Sequence, residues 1–145
     1  MPRRSPPDPR VVQRFHHAAI RLLRWLRKVD DAHGFSGPRA SALSVLVFRG
    51  PQSLGDLAAA EGVKPPTMSR LVKAMVKEGL VAAGTASHDE RRIRIVATAR
   101  GRKRMLRARQ HRLDAIAKLV ADATADEAAA LAKAVELLER SLGPG

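Results

Sequence analysis

Apolar residues recur along this 145-residue chain with two different periods, and the change from one to the other marks out its elements. From Val12 to Val29, the positions Val12, Phe15, Ala19, Leu22, Leu26 and Val29 fall at steps of three and four, forming one apolar stripe along a helix. Asp8-Pro9 supplies a capping side chain and a proline where the first turn tolerates one, and His33-Gly34 ends the run. Gly37-Pro38 opens a second helix, Arg39 to about Phe48, which is apolar almost all round and therefore expected to be buried, and Gly50-Pro51 stops it. Ser53 with Asp56 has the pattern of a capping box and opens a short helix that closes at Gly62. The next helix is predicted over Pro65 to Lys77.

The period then shortens to two. Leu80 to Ala86 and Arg92 to Thr98 read as strands joined by Ser87-His88-Asp89-Glu90-Arg91. In the second, Ile93, Ile95 and Ala97 alternate with Arg92, Arg94 and Val96, which predicts one buried face and one wet face. Thr98 caps a long helix to about Val120, with Met105, Leu113, Ile116, Leu119 and Val120 as its apolar positions. Thr124 with Glu127 repeats the capping-box pattern, and the last helix carries Leu131, Val135, Leu138 and Leu142.

Within this series, the two helices around Gly62 are spaced to cross steeply. Ala58 is small where they touch, and Val63, Met68 and Leu71 fill the wedge between them. A second helix held in that way turns its polar face outward, the geometry required to enter a DNA major groove. The fold class is therefore mainly α with a small β-hairpin wing: a winged helix-turn-helix plus N- and C-terminal dimerisation helices. Residues 1–7 form a basic, proline-rich tail that either touches phosphates or is idle. Residues 8–36 form a dimerisation helix, 37–101 the winged helix-turn-helix, and 102–145 the C-terminal dimerisation helices. The apolar stripes of the outer helices need a cover; pairing with a second copy is the economical one, and packing onto the same chain's core is the alternative.

Composition narrows the function. With three Phe, one Trp and no Tyr, the core must be built from Leu, Val, Ala and Ile, which suits packed helices. The absence of cysteine excludes disulfides, thiolate metal sites and thiol redox sensing. No apolar run is long enough to span a membrane and the N-terminus has no secretory apolar segment, so a cytoplasmic location with no membrane partner is expected. No nucleophile–base pair, phosphate-cradling loop or carboxylate pair stands out, so no catalytic residue, cofactor or metal is assigned and the chain is not expected to be an enzyme. His33 and His88 lie in turns without a second ligand at metal-site spacing.

Charge points to a partner. The net charge of +13 is unevenly placed: residues 64–112 carry fourteen Lys and Arg against three acids, whereas residues 113–145 carry three against six. Basic charge concentrated on a helix-turn-helix fits double-stranded DNA, because neutralising phosphates releases condensed counterions. On the Pro65–Lys77 helix, Met68, Leu71, Val72, Met75 and Val76 share the inward face, leaving Pro66, Thr67, Ser69, Arg70, Lys73 and Lys77 outward. Thr67, Ser69 and Arg70 sit where base edges would be reached. Arg70 can donate two hydrogen bonds to a guanine, while Lys64, Lys73 and Lys77 suit phosphate. Thr67 and Ser69 have a second reading, hydrogen bonding to the backbone at the helix start. In the wing, Arg91 and Arg92 fit a minor groove; Asp89 either pairs with and orients one of them or merely forms a turn. The run Arg100, Arg102, Lys103, Arg104, Arg107, Arg109 and Arg112 reads as a solvated helix face.

The stretch Asp89-x-Arg91-Arg92-x-x-Ile95-x-Ala97-Thr98-x-x-Gly101, with Val63-Lys64-Pro65-Pro66-Thr67-Met68-Ser69-Arg70-Leu71-Val72 and Glu78-Gly79-Leu80-Val81 before it, resembles the MarR family of bacterial transcription regulators. The resemblance covers the order of elements over the whole chain. It implies a homodimer joined through its terminal helices, bound to a pseudo-palindromic operator and often released by a small-molecule effector. By position, it implies that Arg91 is the minor-groove arginine with Asp89 as its partner, and that Pro66, Thr67, Ser69 and Arg70 face the major groove. It also implies an effector pocket between the DNA-binding lobe and the dimer helices, for which His16 and Trp25 are the weak candidates here. The expected function is a sequence-specific regulator, a ligand-responsive repressor; the alternative is a nucleoid-type protein that binds DNA by charge alone.

Overall fold

A computed structural model describes residues 5–86 and 89–143, and the chain divides into two compact units, the first running to Arg112 and the second from Leu113. In the first, α1 (Pro9–Ala32) begins where Asp8 Oδ1 accepts a hydrogen bond from the Arg10 amide at 2.8 Å, and α2 (Gly37–Arg49) follows after a short corner. Next come β1 (Gln52–Ser53), α3 (Leu54–Ala60), α4 (Pro65–Lys77), β2 (Val81–Ala86), β3 (Asp89–Ala97) and α5 (Ala99–Leu119), whose residues from Leu113 on belong to the second unit. The strands make one antiparallel sheet in the order β1-β3-β2.

The core lies where α2, α3, α4 and the sheet base meet. Leu43, Leu46, Leu57, Met68, Met75 and Val81 are fully buried there, and Ile95, Leu80, Phe35 and Met105 close it. The aliphatic character expected from composition is observed. Gly62, at φ +63°, makes the turn between α3 and α4, in a conformation that side chains with a Cβ rarely adopt. Ala58 is buried at that crossing, and its carbonyl accepts from the Val63 amide at 3.0 Å.

The base of the wing is tied to α5 by one side chain. Thr98 donates its hydroxyl proton to the Gly79 carbonyl at 2.6 Å, while the same oxygen accepts from the Gly101 amide at 3.0 Å. Thr98 therefore caps α5 and anchors the turn after α4. Gly101 sits so close to this turn that an added Cβ would overlap the Leu80 carbonyl oxygen and press on Leu43 Cδ1 at 3.3 Å. The Thr98-x-x-Gly101 spacing thus has a packing cause.

Several expectations are corrected. β3 begins at Asp89, so Asp89, Glu90 and Arg91 belong to a strand and not to the connecting loop; Ser87 and His88 lie outside the described residues. The pairing runs regularly from Val81↔Ala97 to Thr85↔Ile93 and then shifts, bringing Ala86 opposite Asp89. Leu80 precedes β2 and is not part of it. β1, which pairs Gln52 with Ile95, was not anticipated. Ser53 accepts from the Asp56 amide at 3.1 Å, which is half of a capping box. Ile93 shares the face of Ile95 but is 65% exposed, because only the base of the ribbon covers the core. Val76, Val63 and Phe48 are likewise exposed. The buried stripe of α4 is the narrow Met68–Val72–Met75 row, and α2 turns its last apolar side chain away from the core.

In the second unit, α6 (Ala125–Leu142) has the expected capping box: the Thr124 amide donates to Glu127 Oε2 at 2.8 Å and the Glu127 amide donates to Thr124 Oγ1 at 3.3 Å. None of its residues is buried.

Candidate nucleic-acid interface

Helix α4 starts without a side-chain cap. Lys64 is extended at φ −73°, ψ 146°, and its carbonyl accepts from the Thr67 and Met68 amides at 3.0 and 3.1 Å. Pro65 and Pro66 occupy positions whose N–H groups would have no intrahelical partner, so they cost nothing there and fix φ for the helix. With Met68, Val72 and Met75 buried, Lys64, Pro66, Thr67, Arg70, Lys73 and Lys77 stand exposed and Ser69 is half-buried. The hydroxyls of Thr67 and Ser69 make no hydrogen bond among the described residues, so the helix-start reading is not realised. Nor do Lys64, Arg70, Lys73 or Lys77 pair with a carboxylate there. No acid lies in the first turn of α4 to offset them. The result is a braced helix presenting uncommitted donors along one face.

The wing is the β2–β3 ribbon of the sheet. Asp89, Arg91 and Arg92 belong to β3 by backbone, and their side chains lie outside the described residues. At its base, Arg94 donates to the Pro51 carbonyl at 3.4 Å, the long end of hydrogen-bond range.

The basic run of α5 is more than a solvated face, and this corrects the sequence reading. Arg112 grips Asp30 of α1 with two parallel hydrogen bonds, the Nε one at 2.7 Å; the other joins Nη2 to Oδ2. Asp30 is buried, and its hydrogen bonds hold the Arg112 guanidinium above its already high pKa against a smaller opposing effect of burial. Arg104 donates to the carbonyls of His33 and Gly34 at 3.3 and 3.1 Å and lies 5.1 Å from the centre of the Phe35 ring. His33 and His111 stack at 3.7 Å. These contacts join residues some 70 to 80 positions apart, which no local pattern reveals; the only hint was an acid near the end of a basic helix.

Two grooves open beside these ties. One, of about 730 Å³, is lined by Asp30, Ser41, Ser44, Phe48, Met105 and Arg112 among others. Neither His16 nor Trp25 lines it: His16 is exposed on α1 and Trp25 is half-buried. The other is lined by four cations of α5, Arg100, Lys103, Arg104 and Arg107, among others. Among the described residues, no three metal-ligating side chains converge.

Residues 33–92 match the family model described as MarR family. A helix-turn-helix-type transcriptional regulator of Mycobacterium bovis is 28% identical over 131 residues, covering 90% of this chain and 92% of the relative. Over that segment the chain is similar to the MarR family. A MarR family protein from Bacillus stearothermophilus superposes with a TM-score of 0.78 at 20% identity, covering 94% of this chain and 99% of that one. An S. aureus MepR mutant bound to an oligodeoxyribonucleotide gives 0.68 at 17% identity, over 92% and 98%. NadR in complex with 4-hydroxyphenylacetate gives 0.59 at 21% identity, over 95% and 97%. At these identities the structures bear on the fold, and they agree on a winged helix-turn-helix. In this winged helix-turn-helix, α3 and α4 are the helix-turn-helix and β2–β3 the wing. No helix among the described residues is long and apolar enough to cross a membrane.

Proposed function

We propose that this chain is a MarR-type transcription regulator, a sequence-specific repressor that binds a pseudo-palindromic operator as a homodimer and is released by a small-molecule effector. The observation that carries the reading is the exposed face of α4, where Thr67, Ser69 and Arg70 offer unengaged donors beside unpaired Lys64, Lys73 and Lys77. A helix so braced can lie in a major groove with its first turns toward base edges and its lysines toward phosphates. Arg91 and Arg92 take the minor groove, with Asp89 orienting Arg91.

The dimer is supported by bare apolar surface. On α1, Val12, Phe15 and Leu22 are exposed, and on α6 so are Leu131, Val135 and Leu142. A two-fold pairing covers both helices and sets half-sites about ten base pairs apart. The groove lined by Ser41, Ser44, Phe48 and Met105 is within the size range of ligand pockets, roughly 300–1,000 Å³, and is the effector site of this reading.

Selection of bound genomic fragments with the purified full chain, followed by competition, tests the proposal. An operator fragment is expected to be preferred over scrambled duplex by at least about a thousandfold. Equal affinity for scrambled DNA would replace this reading with that of a nucleoid-type protein binding by charge. Arg70→Ala should relax base preference at one position in each half-site, and uniform weakening would reassign Arg70 to phosphate.

A further inference from the structure

The second groove, of about 550 Å³, lies where the end of α4, the first turns of α5 and the corner before α2 approach one another. On α5, Arg100, Lys103 and Arg107 follow at i, i+3 and i+7, so all three stand on one side of the helix and reach the same space. Among the described residues none of them pairs with a carboxylate. The single acid of the lining, Glu78, is already taken by Arg39, at 2.6 Å. Arg104 brings a further positive charge, spent on the carbonyls of His33 and Gly34 and on the Phe35 ring. Three like charges converging on a concave space without a counter-charge repel one another, and an oxyanion relieves that repulsion.

The setting favours a small molecule over the DNA backbone. Glu78, at the close of α4, stands roughly 12 Å along the helix from Arg70, since each residue advances about 1.5 Å. A groove at that end looks away from the turns proposed to meet base edges. Phe35 and Leu80, both nearly buried, give it an apolar wall beside its cations, which suits an organic skeleton carrying charged groups.

We propose that this groove binds a small organic polyanion, phosphorylated or polycarboxylate, through Arg100, Lys103 and Arg107. The site adjoins the effector groove proposed above, with which it shares Phe35 but none of its cations, and its test needs no operator. Calorimetric titration of the full chain with pyrophosphate and with citrate, at fixed ionic strength, should show saturable binding of one anion per chain. The tighter of the two probes identifies phosphate or carboxylate as the favoured group. Lys103→Gln combined with Arg107→Gln should weaken binding by at least about tenfold, because charge-assisted hydrogen bonds are lost. Arg102→Gln combined with Lys118→Gln removes the same charge from exposed positions that do not line this groove, and should leave the affinity within about twofold. Equal weakening in both variants, or no saturable binding of either probe, would overturn the site in favour of bulk surface charge. A fall in affinity for duplex DNA confined to the Lys103/Arg107 variant would also overturn it, by assigning the groove to DNA phosphates.

Discussion

Helices α4 and α6 both carry regularly spaced apolar side chains, yet they are held in opposite ways. Over 13 residues α4 buries Met68, Val72 and Met75, and its ends are fixed by the Gly62 turn and by Thr98 gripping the Gly79 carbonyl. Over 18 residues α6 buries nothing, and its start is secured by its own capping box. A helix of that length is marginal in water when it stands on local interactions alone. The polar face of α4 thus stands on a fixed seat, whereas the apolar face of α6 is left exposed. α1 resembles α6, with Asp30 its one buried residue.

The contrast is most open to challenge at the core. Met75→Ala removes a fully buried side chain and should cost roughly 2–5 kcal/mol in urea unfolding. Leu131→Ala, on exposed α6, should cost less than about 0.5 kcal/mol when measured on dilute protein. Similar losses at the two positions would mean that α6 is seated as firmly as α4.

Next in size is the tie between α1 and α5. The Asp30 side chain is 6% exposed and that of Arg112 47%, so the two halves of the pair are not equivalent. Arg112→Ala strands a buried carboxylate and should cost about 2–3 kcal/mol, since an orphaned buried charge keeps its full desolvation penalty. Asp30→Ala frees a guanidinium already half in water and should cost less. Reversal of that order in denaturant titrations would show that burial does not govern the pair.

These two cases also show how far the sequence could be read. The bounds of α4, the Asp8 and Thr124 caps and the Gly62 turn are set by neighbours within a few residues, and each was legible from pattern. Side chains whose fate depends on distant partners were not. Ile93 keeps the correct period but sits beyond the reach of the core, and Val76 misses it by one position on the helix. Arg104 and Arg112 look like their solvated neighbours until residues 70 and 82 positions away come into contact. The outward set on α4 could be listed by period alone, whereas the bonds that Thr67 and Ser69 leave unmade became visible only in three dimensions.

A smaller effect concerns what covers α1 and α6. If copies of the chain pair through these helices, stability gains a concentration term, worth about 1.4 kcal/mol per tenfold change in protein for a fully coupled dimer. The melting temperature should then rise with protein concentration, and Leu131→Asp should flatten that rise. A concentration-independent melting temperature in the unaltered chain would leave the apolar faces to some other cover.

The finest test lies in the cap of α6 itself. Glu127 accepts a hydrogen bond from the Thr124 amide and a second from its hydroxyl, and these hold its carboxyl below the usual carboxylate range. Because the folded form releases its proton more readily than the unfolded chain, its contribution to the helix is complete above the ordinary carboxylate range. That contribution fades as pH falls through the lowered folded value. Amide protection in the first turn of α6, taken relative to the intrinsic exchange rate at each pH, should therefore hold down to mildly acidic pH and fall only below it. Glu127→Gln keeps an oxygen acceptor at every pH, so its exchange should lose this acid step while the rest of the chain keeps its own. An undiminished step in the variant would mean that α6 takes its acid sensitivity from elsewhere, and that its start is not secured by the capping box alone.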